Sequence, residues 1–260
     1  LTDLGSRLAV HYIVRGPRRV SALRFNKIIF IESHNDLRTG MRLAEDLPYI
    51  GISNDLEIPI EYYDVFDKSE FFSRLNQLTV EAQEGTLFPI LQIDAHGHQD
   101  PDGFLLRSGE LINWQELEEP LRALNIAARC NLLLVTATCF GAVANSTIGI
   151  ANRAPFWAAV GPAGEIAQGD ILDSLRRFYS ALLAQESPQS ILNSLEASEL
   201  RFVTAEWFFI RYYRYLVNEL NPNIPASQVE FENFLNHFFM TDLYPENADK
   251  FTVTFEGAGL

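Results

Sequence analysis

The sequence predicts an α/β protein with a mainly parallel central sheet, covered by helices on both faces, and a C-terminal helical extension. Up to residue 164, short runs of β-branched and other apolar residues alternate with segments that carry apolar residues at helical spacing. This alternation is typical of a parallel sheet whose strands are connected by helices. From Asp170 onward one helical segment follows another, with no Gly/Ser/Pro-rich linker before them. We therefore expect a domain over residues 1–180 and a helical extension, residues 181–260, packed on the same domain.

The strands are predicted from apolar runs that are bounded by polar or turn-forming residues. The run KIIFIES at residues 27–33 is typical of a parallel strand that is buried on both faces. The predicted strands span residues 27–33, 58–66, 88–95, 131–138 and 156–160, and a further strand is possible at residues 8–14. The remainder of the first 22 residues gives no clear signal.

The helices are predicted where a capping residue precedes apolar residues at helical spacing. Asp67 begins one such segment, and Gly85 ends it. Asn113 and Glu116 resemble a capping box for another, which Pro120 is expected to kink. Ser108-Gly109 predicts a two-residue hairpin turn. The predicted helices span residues 37–47, 68–84, 114–129, 140–151, 170–185, 188–199, 205–220 and 225–244.

The charge and the cysteine content argue against several classes of function. The 260-residue chain has 34 acidic and 20 basic residues, giving a formal net charge of −14. We therefore expect neither nucleic acid nor a membrane as a partner, because both require basic surfaces. The only cysteines, Cys130 and Cys139, indicate a reducing cytoplasm rather than a secreted disulfide framework. No apolar run reaches the roughly 20 residues of a membrane span, and the first residues do not resemble a signal peptide.

Two residues at predicted strand ends carry the strongest chemical signal. The run at residues 88–95 is followed by His96-Gly97, and the run at residues 131–138 is followed by Cys139. Parallel strands present functional residues at their carboxyl ends, so His96 and Cys139 are expected at one sheet edge, as a base beside a thiol. A helix predicted directly behind Cys139 would favour the thiolate through its dipole. The N–H groups of Gly97 and Cys139 are candidates for stabilising an oxyanion.

Each of these residues also has a purely structural interpretation. A free cysteine on an apolar strand is often a small buried hydrophobic residue, and a strand-end histidine often serves only in hydrogen bonding. For His96 or Cys139 taken singly, the structural interpretation is favoured. Their occurrence at matching strand ends, with Gly97 directly after the histidine and Gly141 two residues after the cysteine, favours the dyad. Cys130 lies before its strand and is assigned a structural role.

The order of these features resembles the caspase-like cysteine peptidases, and among them the bacterial CHAT-type proteases. The pattern is an apolar strand ending in His-Gly, a Gly-containing hairpin, a helix, and an apolar strand ending in Cys, over residues 25–180. The matching positions are His96, Gly97, Asp102, Gly103, Leu105, Gly109, Ile112, Trp114, Leu117 and residues 139–142. The resemblance implies a caspase-like three-layer sandwich and a regulated endopeptidase, in some cases one of bacterial defence.

The resemblance also assigns roles to individual residues. It implies that His96 is the general base, that Cys139 is the nucleophile forming a thioester, and that Gly97 donates to the oxyanion. The residue two before the nucleophile, often polar in relatives, is Ala137 here, which favours a small or apolar P1 residue. His98 is a second imidazole that a shifted register would exchange with His96. We expect no cofactor and no metal.

Three carboxylates near the expected site allow alternative roles. Asp94 is placed either to orient His96 or to satisfy a strand-end backbone group. Glu165 and Asp170 follow the strand at residues 156–160, in the loop that borders the substrate pocket in the family. They either select a basic P1 residue or are surface residues, and Asp170 is also a candidate helix cap.

Two other functions compete with the peptidase. The segment from His96 to Asp100 reads H-x-H-x-D and resembles the start of a metallo-β-lactamase-like zinc site. That family usually has a further histidine where this chain has Pro101, only His237 remains downstream, and Cys139 would have no role. The second alternative is a catalytically silent caspase-like scaffold that docks through its aromatic-rich C-terminal helices. The favoured partners are a protein substrate, bound through an exposed loop, and an activating protein.

Overall fold

A computed structural model of the chain describes residues 22–34, 36, 38–54, 58–149, 153–196, 199–209 and 254–257. The strands are β1 (Ala22–Phe25), β2 (Lys27–Ser33), β3 (Ile60–Asp64), β4 (Pro89–Gly97), β5 (Gly103–Leu105), β6 (Leu111–Asn113), β7 (Leu133–Ala137), β8 (Ala158–Pro162), β9 (Leu200–Thr204) and β10 (Thr254–Gly257). The helices are α1 (Thr39–Ser53), α2 (Lys68–Gln83), α3 (Trp114–Ala127), a 3-10 helix (Gly141–Thr147), α4 (Gln168–Leu183) and α5 (Pro188–Glu196). Residues 205–209 are also helical.

The central sheet has the strand order β3-β2-β4-β7-β8-β9. The first five of these strands run parallel to one another, and β9 pairs antiparallel with β8 at the edge. Strands β5 and β6 form a small antiparallel addition to the end of β4, and β1 pairs with β10 in a separate two-stranded sheet. The predicted α/β fold with a mostly parallel sheet is therefore confirmed.

Helices cover both faces of the sheet. One face packs against α2, α3 and the 3-10 helix, in an apolar cluster that includes Phe71, Leu117 and Ile93. The other face packs against α1, α4 and α5, in a second cluster that includes Leu43 and Phe178. This alternation of the strand side chains between two buried clusters explains the nearly continuous apolar runs of the sequence.

Several predicted elements differ in detail from those of the structure. The segment behind Cys139 is a seven-residue 3-10 helix, so the predicted α-helix at residues 140–151 is wrong. Residues 200–204, between two predicted helices, form strand β9 of the main sheet. The hairpin of β5 and β6 forms as predicted, but residues 106–110 connect its strands, and Gly109 has a φ of +85°. Helix α3 continues past Pro120.

Some expectations fall outside the part of the chain that the structure describes. They are the possible strand at residues 8–14, the helix at residues 225–244 and most of the helix at residues 205–220. Among the described residues, no helix is both long enough and apolar enough to cross a membrane.

Candidate active site

The register of three parallel strands brings together the strand ends that carry His96 and Cys139. Asp94 of β4 is paired with Ala137 of β7 on one side and with Glu32 of β2 on the other. Continuing this register by two residues places His96 opposite Cys139 on one side and opposite His34 on the other. Because side chains alternate along a strand, His34 and His96 belong to the face that Glu32 and Asp94 occupy. Cys139 follows the end of β7, and its Cβ lies against the position that a Cβ on Gly97 would take. The predicted shared edge of His96 and Cys139 is present.

Gly97 fits its position because Cys139 lies directly against it. A Cβ atom built on Gly97 would lie 2.6 Å from Cβ of Cys139 and 2.5 Å from its carbonyl oxygen. These distances are too short for any side chain. The residue that follows the histidine must therefore be glycine for the two strand ends to come this close.

A tight turn follows Cys139. Phe140 adopts a left-handed backbone with φ of +58°, and its N–H donates to the carbonyl of Gly164 at 3.0 Å. Gly141 lies against Thr136, because a Cβ built on this glycine would be 2.3 Å from the Thr136 hydroxyl oxygen. The expected α-helix dipole directly behind the thiol is therefore absent, since a short 3-10 helix stands in its place.

The thiol is half-buried beside a cleft of about 690 Å³. Cys139 Sγ lies 3.8 Å from the carbonyl oxygen of Ile166, in the loop after β8. The cleft is lined by Gly97, His98, Gln99, Leu105, Cys139, Phe140, Glu165, Ile166 and Ala167. The predicted nucleophile, its neighbouring glycine and the loop after β8 therefore share one cleft.

A second, acidic cavity of about 380 Å³ adjoins this cleft through the loop residues 165–167. Four carboxylates line it, with Ser174 and one arginine, and they come from Glu165, Asp170, Asp173 and Glu199. Asp170 lies in the first turn of α4 and does not cap it, because the N-cap position is held by Ala167. Ala137 is buried at the end of β7 and lines neither cavity.

The imidazole of His96 faces a second histidine and an aspartate. Its Nε2 lies 3.4 Å from Oδ1 of Asp36, and its ring centroid lies 4.3 Å from that of His34 in an edge-to-face arrangement. His96 and Asp36 are both more than half exposed, whereas His34 is buried. Desolvation is the largest single influence on the pKa of Asp36 and raises it, but the charges of His96 and His34, with a backbone hydrogen bond and one from Gln168, together lower the pKa below its ordinary value. The carboxylate that faces the predicted base is therefore Asp36.

Asp94 contacts His34, so the geometry does not favour the alternative in which Asp94 orients His96. Oδ1 of Asp94 lies 3.0 Å from Nε2 of His34, and both side chains are buried. Burial by itself lowers the pKa of His34, but the hydrogen bond and the negative charge of Asp94, with the charges of Glu32 and Asp36, raise it overall. Burial raises the pKa of Asp94, and the hydrogen bond from His34 opposes this only in part.

Glu32 extends this buried polar group toward α1. Its Oε2 accepts a hydrogen bond of 3.1 Å from the N–H of Met41, in the first turn of that helix. Burial, followed by the negative charge of Asp94, raises the pKa of Glu32. The carboxyl groups of Glu32 and Asp94 and the imidazole of His34 are thus buried beneath the exposed pair of Asp36 and His96.

His34 and Asp36 were not identified as site residues from the sequence, although a signal for them is present. His34-Asn35-Asp36 directly follows the carboxyl end of β2, and His96 lies at the carboxyl end of β4. The argument that identified His96, that functional groups collect at the carboxyl ends of parallel strands, applies equally to this segment. Because a helix is predicted from residue 37, directly behind it, the segment also fits the start of a helix.

His98 lies outside β4 and has a different partner. Its Nδ1 is 2.7 Å from Oδ1 of Asp102 and 3.1 Å from the carbonyl oxygen of Asp100. Among the described residues, His98 and Asp100 do not join His96 in a group of ligand atoms close enough to share a metal ion, whereas His34 and Asp36 do. The geometry therefore does not favour the predicted H-x-H-x-D zinc site.

No protein-family model matches this chain, and no curated protein is significantly similar to it.

Proposed function

We propose that the protein is a caspase-like cysteine endopeptidase that uses His96 as its base and Cys139 as its nucleophile. The observation that carries this proposal is the contact between Gly97 and Cys139 at the carboxyl ends of neighbouring parallel strands. It supports a base and a thiol next to each other, as the resemblance to caspase-like peptidases implies. The hairpin of β5 and β6 and helix α3 also occur between the two residues in the implied order.

The chemistry requires only these two side chains and the backbone. His96 accepts the thiol proton, and the Cys139 thiolate attacks the peptide carbonyl carbon. The tetrahedral oxyanion receives hydrogen bonds from the N–H groups of Gly97 and Cys139. The carbon–nitrogen bond then breaks, His96 returns the proton to the leaving amine, and water hydrolyses the thioester.

The substrate is an extended loop of another protein. The cleft beside Cys139 is open to solvent, and extended peptides bind to such surfaces through their backbone and alternate side chains. The adjoining cavity carries four carboxylates, which favour a basic substrate side chain over the small or apolar one that Ala137 suggested. Glu165 borders both cavities and is the residue best placed to select it.

His98 is a second candidate base because it lines the same cleft as the thiol. The hydrogen bond between Nδ1 of His98 and Asp102 would leave Nε2 of the ring as the proton acceptor. Asp102 would then hold the tautomer and the orientation of the ring, as a third member of a catalytic set.

Alkylation of a single thiol distinguishes these assignments. The background is Cys130→Ala, since Cys130 is exposed and would react with the reagent itself. The rate of alkylation of Cys139 by iodoacetamide is measured from about pH 5 to 8, where an unperturbed thiol is mostly protonated. We expect His96→Ala to slow the reaction at neutral pH, and His98→Ala to leave it nearly unchanged.

The alternatives predict different results. Slowing by His98→Ala alone would transfer the role of base to His98. An unchanged rate in both variants would contradict a dyad. The zinc hydrolase would be favoured if protein cleavage required stoichiometric zinc and persisted in Cys139→Ala. The silent scaffold would be favoured if the His96→Ala, Cys139→Ala double variant kept the full biological effect.

A further inference from the structure

We propose that His34, Asp36 and His96 form a binding site for a divalent transition-metal ion, with Zn²⁺ as the ion that fits best. The three residues offer one ligand atom each, and these atoms all lie within 4.8 Å of one another. Asp36 is central, because its Oδ1 is 3.5 Å from Nδ1 of His34 and 3.4 Å from Nε2 of His96. Two imidazole nitrogens and one carboxylate are a set of ligands that zinc commonly takes in proteins.

The distances between the ligand atoms suit a tetrahedral ion. With metal–ligand bonds of about 2.0–2.1 Å, the edges of a tetrahedron are about 3.3 Å long. The two distances from Asp36 are already close to this value. Calcium and magnesium prefer oxygen ligands, so the two imidazoles argue for zinc and its neighbours in the first transition series.

A buried carboxylate orients His34 for metal binding. Nε2 of His34 lies 3.0 Å from Oδ1 of Asp94, and in the neutral ring an N–H donated to this carboxylate leaves the lone pair on Nδ1, the nitrogen that faces Asp36. Metal-binding histidines usually donate their other ring N–H to a carboxylate or carbonyl in this way, which fixes the tautomer and the ring orientation. Asp94 is almost completely buried and has no access to the ion itself. This pair supplies the supporting shell that a chance cluster on the surface would lack.

The site is accessible from solvent on one side. His96 and Asp36 are exposed, so an ion can enter and a water molecule can complete the fourth position. Nε2 of the Gln168 side chain lies 3.5 Å from Nδ1 of His34. This amide must move aside when the ion binds, or turn its oxygen toward the metal-bound water.

A metal at this site would inhibit the proposed peptidase, an effect that rests on the proposed function. A nitrogen that coordinates zinc cannot accept a proton, and the ion would fix the His96 ring on the side of Asp36. Zinc binding and proton transfer from Cys139 therefore exclude each other. The ion would be a reversible inhibitor that acts through His96 and does not coordinate the thiol of Cys139.

Binding is tested first with Co²⁺, whose visible absorption reports tetrahedral coordination, on the full chain carrying Cys139→Ala. This background removes the thiolate as a competing ligand. We expect one equivalent of Co²⁺ to bind, Zn²⁺ to displace it, and Asp36→Asn to weaken binding at least about ten-fold. Asp36 is more than half exposed, so we expect the variant to fold, and urea denaturation of the variant checks this. His98→Ala is the matched control and should bind as the parent does.

Three outcomes would overturn the proposed site. They are the absence of stoichiometric binding, unchanged affinity in Asp36→Asn, and a loss of binding in His98→Ala instead. Inhibition is tested separately, as zinc-dependent slowing of Cys139 alkylation in the Cys130→Ala protein, which Asp36→Asn should relieve. If the protein binds the metal but the thiol shows no reactivity that depends on His96, the proposed peptidase is contradicted and the metal site is supported. If the thiol is reactive through His96 but no metal binds, the metal site is contradicted and the peptidase is supported.

Discussion

Nε2 of His34 lies 3.0 Å from Oδ1 of Asp94, and the two side chains are 3% and 1% exposed. The pair joins β2 to β4 beneath the exposed His96 and Asp36. Each partner satisfies a polar group that would otherwise be buried without a hydrogen bond, so neither is expected to tolerate loss of the other. The candidate site therefore rests on a polar contact in the interior of the sheet.

Removal of the Asp94 carboxylate should destabilise the protein strongly. Asp94→Ala leaves His34 buried without its partner, and breaking such pairs typically costs about 3–5 kcal/mol in the free energy of unfolding. The measurement is urea denaturation followed by circular dichroism. Asp102→Ala, which breaks the more exposed contact with His98, is the matched control and should cost less than about 1 kcal/mol. Equal costs for the two variants would contradict the importance given to the buried pair.

The stability of the protein should fall as the pH rises. Folding raises the pKa of Glu32, His34 and Asp94, so the folded state binds more protons than the unfolded state. The free energy of unfolding therefore decreases as the pH rises. For the two carboxyl groups the decrease begins near their unfolded pKa, about pH 4, and for the imidazole it begins at about pH 6.5. In each case the decrease ends once the pH has passed the pKa of the group in the folded state. We expect lower urea midpoints at pH 8 than at pH 5.

His34→Gln is the variant that separates these contributions. It should reduce the pH dependence above about pH 6.5, where the unfolded imidazole loses its proton. The carboxylates of Asp36, Glu61 and Glu116 have lowered pKa values. Their contribution to stability is lost only in acid, below about pH 6.5. A urea midpoint that rises from pH 5 to pH 8 would contradict the raised pKa of the buried groups.

Gly97→Ala should abolish the reactivity of Cys139. The added methyl group would overlap Cβ and the carbonyl oxygen of Cys139, so the two strand ends must separate. We expect loss of alkylation dependent on His96, together with a lower melting temperature. Gly169→Ala, in the first turn of α4, is the control because its added Cβ meets nothing within 4 Å, and it should melt at the parent temperature or slightly above. Unchanged reactivity in Gly97→Ala would contradict the close approach.

The acidic cavity should determine the preferred P1 residue. In the Glu165→Gln, Asp170→Asn double variant, cleavage after arginine or lysine should fall by roughly ten-fold relative to cleavage after alanine or leucine. The measurement is kcat/KM on matched peptide pairs. Glu119→Gln is the control, because Glu119 is an exposed carboxylate on α3, outside both cavities. A parental preference for small or apolar residues would instead favour the prediction made from Ala137.

The strands were predictable from the sequence because burial on both faces leaves long apolar runs. Residues 27–33 form β2 with the predicted bounds, and the order of strands and helices from β2 to β8 follows the prediction except for the 3-10 helix behind Cys139. Strand β1 was not predicted. The 3-10 helix behind Cys139 was not predictable from apolar spacing, because the left-handed Phe140 and the packing of Gly141 on Thr136 determine it. Strand β9 was missed because five residues between helical segments carry little pattern of their own.

The sequence by itself determined that His96 and Cys139 end two apolar strands, and that a glycine follows the histidine. Only the tertiary structure decided which carboxylate meets which histidine. Asp94 lies two residues before His96 on the same strand, yet it binds His34 of the neighbouring strand, and His96 faces Asp36. In a parallel sheet the neighbours of a side chain lie on adjacent strands, so the register between β2 and β4 selects its partners, and that register depends on residues far apart in the sequence.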